Sequence, residues 1–135
     1  MSETCAINAN NPVTNKKFTG TLGLPLPSID IAIKNGNGNS LPVGDSNEIC
    51  IKGPQVTTDY YHQPKENAKA FNDDGILRTG DIAIMDDAEY TKIIDRKNDM
   101  IIVSGFNVYP NELENIISLC PGLVKCAVVG VPGKS

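Results

Sequence analysis

From residue 29 the chain alternates. Ile29, Ile31 and Ile33 stand between smaller or polar neighbours as far as Lys34, and a period of two predicts a half-buried strand. Asn35 to Asn39 (NGNGN) follows, a run of residues that tolerate positive φ and so predict a hairpin turn. Ile49 and Ile51 flank Cys50 in a second predicted strand, Glu48 to Gly53, and Gln55 to Tyr61 is a weaker extended piece. Pro64 to Phe71 predicts a short helix, because proline suits the first helical position. Ile76–Thr79, Ile82–Met85 and Tyr90–Ile94 predict three strands, with Asp86 and Asp87 turning the chain between the last two. Met100–Val103 predicts one more, closed by Ser104 and Gly105.

The ends read differently. Residues 1 to 20 are polar, lack a period and predict loop, and Leu22 to Pro27 is turn-rich because proline withholds a backbone donor. Pro110 opens a second predicted helix. Glu112 and Glu114 suit the positive end of its dipole, and Leu113, Ile116, Ile117 and Cys120 fall on one face. Pro121 and Gly122 end it, and the apolar run Leu123 to Val131 predicts a buried strand. The order is many strands, then strand, helix, strand. It predicts an α+β, β-rich fold, with a boundary at the polar stretch Arg96 to Asp99 that divides the chain into 1–96 and 97–135.

Charge and composition narrow the function. The net charge is −4 with acids and bases interspersed, so no nucleic-acid face is expected. No apolar run has the length of a bilayer span, and the first residues lack the basic and apolar regions of a signal peptide. Cys5, Cys50, Cys120 and Cys126 form no close pair and the one histidine, His62, is remote from them, which argues against a zinc site. Free thiols of a reducing, cytoplasmic compartment are expected, with Cys50 and Cys126 buried. His62 reads as a surface residue, Tyr60 and Tyr61 as packing residues.

Candidate chemistry sits at one hairpin. Folding 82–86 back on 89–94 sets Asp81 opposite residues 94 to 95 and brings it to Arg96 at the open end. Two readings stay open: a structural ion pair, or a carboxylate that accepts both hydroxyls of a ribose beside a guanidinium for hydroxyl or phosphate oxygens. Gly80 leaves room for close approach to the backbone.

These residues carry a resemblance. LRTGDIA, then DRKNDMIIVSGFNVYPNELE, resembles the adenylate-forming superfamily of acyl-CoA synthetases, luciferases and peptide-synthetase adenylation domains, and DMIIVSGFNVYPNELE looks most like bacterial long-chain fatty-acid–CoA ligases. MSET is similar to the end of the family's Tyr-Gly-x-Ser/Thr-Glu motif, and NEICIKGPQVTTDYY to its Gly-Glu-[Leu/Ile]-x-x-x-Gly motif. The resemblance covers the whole chain. It implies a distorted β-barrel subdomain at 1–96 and, at 97–135, the start of a small α/β domain that moves between two half-reactions. A carboxylate first attacks the α-phosphate of ATP, giving acyl-adenylate. The thiol of coenzyme A then takes the acyl group and AMP leaves.

Residue by residue, the resemblance assigns Ser2 to the α-phosphate and Glu3 to Mg²⁺, a hard cation that takes carboxylate oxygen. Asp81 matches the acid on the ribose hydroxyls and Arg96 the base beside the nucleotide sugar. Gly105 matches the glycine lining the pantetheine tunnel of coenzyme A; its other reading is an ordinary turn. Asn98 falls at the hinge, where relatives usually carry Asp or Lys, and Asn47 stands where relatives have Gly before Glu48. The Gly/Ser/Thr-rich phosphate loop and the Pro-Lys-x-x-x-Gly-Lys segment are not among these residues. The expectation is therefore a piece of a ligase, inactive alone, whose intact enzyme takes fatty acid and coenzyme A and touches membranes at most peripherally. An unpaired edge at Leu123–Val131, or exchange of 97–135 across Asn98, is expected to cause self-association. Two further readings remain: an enzyme of the same fold for another acid, and a non-catalytic nucleotide-binding module.

Overall fold

A computed structural model describes residues 1–5, 7–14, 19–72 and 74–133. Its centre is a four-stranded antiparallel sheet of β3 (Asp30–Lys34), β4 (Ser46–Lys52), β5 (Leu77–Met85) and β6 (Thr91–Arg96), in that order. Strands β1 (Ala9–Asn10) and β2 (Leu24–Pro25) form a short ladder of their own, and a bridge from Gly23 to Thr91 joins it to the free side of β6. Helix α1 (Pro64–Ala70) lies between β4 and β5 in sequence. Strands β7 (Ile101–Val103) and β8 (Phe106–Val108) form a separate hairpin before α2 (Pro110–Ile117). The α+β, β-rich class holds. The strands form open sheets rather than a closed barrel among the described residues.

Alternation builds the core. Ile31 pairs with Ile51 and Ile33 with Ile49, so four isoleucines share one face. Ile33, Ile49 and Ala83 are buried there, against Ile31, Leu41 and Met85. Asn35 fixes the turn after β3 as its composition predicts: its Oδ1 accepts from the backbone N–H of Asn37 and of Asn39, each at 3.0 Å. Asp86 does the same after β5, with Oδ1 accepting from Ala88 N at 3.0 Å and Tyr90 N at 2.9 Å.

Several expectations are corrected. Ile76–Thr79 and Ile82–Met85 are one strand, β5, which carries a positive-φ glycine, Gly80 at φ 75°, without breaking. Gln55 to Tyr61 is turn and bend, and the nominal loop 1–20 contains β1 and a 3-10 turn at Ser2–Thr4. Ser104 and Gly105 close β7 as expected. Their φ values of 51° and 86° make the tight turn into β8, which pattern reading missed.

The buried strand at Leu123–Val131 is absent. The segment carries no ladder, and Val124, Val129 and Val131 are exposed. It is held instead by α2, where Glu114 Oε1 accepts from Val128 N at 2.8 Å. An edge strand at 123–131 therefore gives no basis for self-association. Ile116 on α2 is likewise exposed, so the apolar stripe of that helix is uncovered among the described residues. Cys126 is half-buried; Cys50 is buried as expected.

Candidate functional site

The β5–β6 ladder sets the site. Counting back from Met85 opposite Thr91, a regular ladder would place Asp81 opposite residue 95. A bulge between Ile82 and Ala83 shifts the register by one, and Asp81 pairs with Arg96. Arg96 Nε lies 3.2 Å from Asp81 Oδ1. The guanidinium side chain is 73% exposed, so this pair adds little stability and leaves the arginine free to turn towards a ligand. Thr79 Oγ1 donates to Ile49 O at 2.9 Å and accepts from Asp81 N at 3.1 Å, which fixes the backbone that carries the carboxylate.

Asp81 and Thr79 open onto a recess of about 350 Å³ on the isoleucine face. Its other walls include Ile31, Ile49, Ile51, Ile93 and Met1. An apolar floor with one carboxylate at the rim suits a flat ring whose sugar hydroxyls meet the acid. Met1 brings the amino-terminal turn to this rim. Ser2 is exposed and its carbonyl closes the turn by accepting from Cys5 N at 3.2 Å. Glu3 is half-buried. Its carbonyl accepts from Thr57 N at 2.7 Å, and its Oε1 accepts from the Tyr60 hydroxyl at 3.0 Å.

A second recess, which shares Thr79 with the first, is walled by Glu48, Arg78, Gly80, Lys97, Asn98 and α1. Glu48 is its hub. The carboxylate, with a side chain 5% exposed, accepts from Gly80 N at 3.1 Å and from Lys97 Nζ at 2.8 Å, and Arg78 Nε stands 3.6 Å away. It ties the strand just before Asp81 to the turn just after Arg96. Lys97 N also donates to Gly80 O at 2.8 Å. Asn98 occupies the middle of that turn without a positive φ. Burial, then the charge of Glu48, pushes the thiol of Cys50 above its ordinary range and keeps it protonated.

Gly105 lies apart, at the tip of the β7–β8 hairpin, and lines neither recess. A Cβ there would meet no atom within 4 Å, so within this chain its positive φ is what requires glycine. Asp95 is 2% exposed and serves α2, accepting from Asn111 N at 3.0 Å and from Asn111 Nδ2 at 2.9 Å. It caps the helix from β6, since Tyr109 at the N-cap offers no side-chain bond.

Sequence reading missed Glu48, Lys97, Asp95 and Tyr60. A charged residue opening the apolar run EICI was the available signal for Glu48. Tyr60 does pack, with its ring 5.7 Å from that of Phe71, but Tyr61 is 86% exposed and packs in no core. Among the described residues no cluster of three or more His, Cys, Asp or Glu could hold a metal, and no helix is long and apolar enough to cross a membrane.

Residues 1–61 match the family model described as AMP-binding enzyme. The chain is 41% identical over 134 residues to a long-chain-fatty-acid–CoA ligase of Yersinia pestis, covering 99% of this chain and 24% of that protein. Among solved structures, the ATP-bound MatB of Rhodopseudomonas palustris superposes with a TM-score of 0.90 at 39% identity, over 98% of this chain and 26% of that one. The O-succinylbenzoate coenzyme A synthetase of Bacillus subtilis, in complex with ATP and magnesium ion, gives 0.86 at 32% identity, over 99% and 28%. The chain thus spans about a quarter of the length of the proteins it matches.

Proposed function

We propose, from the premise that this chain belongs to the adenylate-forming superfamily, that it is the part of a long-chain fatty-acid–CoA ligase that binds the nucleotide sugar. The observation that carries the reading is the Asp81–Arg96 pair at the mouth of an apolar recess. Asp81 accepts the two ribose hydroxyls in place of its bond to Arg96. Arg96, exposed and tethered on one side only, turns to hydroxyl or phosphate oxygen. Ser2 donates to the α-phosphate at which the fatty-acid carboxylate attacks, with pyrophosphate leaving. Residues 97–135 open a second, mobile domain that turns about Asn98, and Gly105 on its hairpin lies along the pantetheine chain when the thiol of coenzyme A attacks the acyl carbon.

Glu3 fits Mg²⁺. Its hydrogen bond to Tyr60 uses Oε1 and leaves the other carboxylate oxygen for a cation. One carboxylate completed by substrate phosphates is an ordinary arrangement for this ion, and no three-ligand cluster is needed. Bound there, Mg²⁺ would neutralise charge that builds on the phosphates. The likeness to the O-succinylbenzoate enzyme keeps a second reading in view, the same chemistry on an aryl acid. ATP–pyrophosphate exchange by the full-length gene product tests both. Exchange dependent on palmitate supports the first reading, and exchange dependent only on aryl acids replaces it with the second. No exchange with any carboxylate overturns both.

A further inference from the structure

Tyr60 lies in a stretch with no regular secondary structure, yet contacts converge on it. Asn67, on α1, holds both of its backbone groups: Asn67 Oδ1 accepts from Tyr60 N at 2.6 Å and Asn67 Nδ2 donates to Tyr60 O at 3.1 Å. Phe71, at the end of the same helix, packs on its ring. With main chain and ring fixed to α1, the phenol has one remaining use, the hydrogen bond it donates to Glu3 Oε1 at 3.0 Å. Glu3 is thereby held at both ends, its carbonyl by Thr57 N and its carboxylate by Tyr60. The neighbouring Tyr61 is placed differently; its ring is exposed and lies against His62, at 4.0 Å between centroids.

We propose that Tyr60, clamped by Asn67, is a positioning residue that aims the free oxygen of Glu3 at the divalent cation carried with the nucleotide triphosphate. The inference rests on the reading of Glu3 as the cation's protein ligand. A glutamate has three side-chain torsions and loses them all on binding a metal. A donor fixed to a helix removes that freedom in advance, which is how partners of metal ligands raise affinity. A neutral phenol does so without adding a charge that would compete with the cation.

The test is Mn²⁺ binding, read by electron paramagnetic resonance on the full-length gene product with α,β-methylene ATP present. Glu3→Gln is expected to weaken Mn²⁺ binding about tenfold or more, and Tyr60→Phe about tenfold. Tyr60→Phe keeps the ring packing and the backbone clamp, so the fold is expected to persist. In the Glu3→Gln background, Tyr60→Phe is expected to change affinity by no more than about twofold, because the phenol acts through the carboxylate. Asn67→Ala, which releases Tyr60 without touching Glu3, is expected to cost about threefold. Wild-type affinity in Tyr60→Phe, with affinity lost in Glu3→Gln, overturns the positioning role and leaves the cation reading standing. Unchanged affinity in Glu3→Gln overturns the cation reading itself. Fully additive losses show that Tyr60 acts elsewhere and also overturn the proposal.

Discussion

Replacing Lys97 by methionine removes the nearest positive charge from a carboxylate that is almost fully enclosed. Glu48 keeps Gly80 N–H at 3.1 Å and Arg78 at 3.6 Å, but loses its 2.8 Å bond. Breaking a buried ion pair by removing one partner costs about 3–5 kcal/mol. Two features reduce this. The lysine side chain is 44% exposed, so solvent already screens it, and Arg78 can move towards the vacated position. A loss of about 1–2 kcal/mol remains. Urea denaturation of Lys97→Met, followed by far-ultraviolet circular dichroism, gives the value, since the chain has no Trp to follow by fluorescence. A second pair of variants, Glu48→Gln and the double mutant, closes a cycle. The expected coupling is about 1 kcal/mol, with the double mutant less destabilised than the sum of the singles. A Lys97→Met protein within about 0.3 kcal/mol of wild type, with no coupling, would refute the view that Glu48 ties Gly80 to the turn at 97–99.

Other outcomes follow from the same geometry. Asp95→Ala removes the carboxylate that caps α2 and is expected to cost about 1–2 kcal/mol, seen as faster amide exchange at Asn111 to Glu114. Gly105→Ala meets open space and is expected to cost only the positive-φ strain, about 1 kcal/mol, whereas a Cβ at Gly23 would collide with the backbone of Asn10 and Asn11 and is expected to disrupt the β1–β2 ladder; thermal melts of the two variants separate the cases. A maleimide is expected to label Cys5 and Cys120 in the native state and to spare Cys50, whose thiol is buried and held protonated. Desolvation, then the hydrogen bond to Glu3, raises the phenol pKa of Tyr60 above its ordinary value of 10.0. The stability it contributes is therefore complete below about pH 10 and lost as pH rises through the higher folded value. Absorbance at 295 nm is expected to show a late-titrating component that disappears in Tyr60→Phe.

What the sequence made legible is what lies close along the chain. Strand β3, the Asn35 turn, the Pro64 helix and the Asp86 turn each rest on a local period or a side chain bonding its own neighbours. The meeting of Asp81 with Arg96 was legible for the same reason, through a hairpin, although the bulge that sets the final register was not. The residues that passed unnoticed are joined across long separations in sequence. Tyr60 reaches back 57 residues to Glu3, and Lys97 reaches back 49 to Glu48. No period records such pairs. The misread segment Leu123–Val131 shows the opposite failure. An apolar run indicates a surface that favours burial, yet a ladder needs a partner strand, and the described residues supply none.

The central claim is that Asp81 reads the ribose of a nucleotide. Its most direct test is isothermal titration of the full-length gene product with ATP and with 2′,3′-dideoxy-ATP, for wild type and Asp81→Ala. A site built to accept two hydroxyls rejects a ligand that lacks them. The account predicts that wild type prefers ATP by about tenfold or more and that Asp81→Ala loses the preference. A preference of the same size in both proteins would contradict it, and Asp81 would then be the acid of a structural ion pair closing a hairpin.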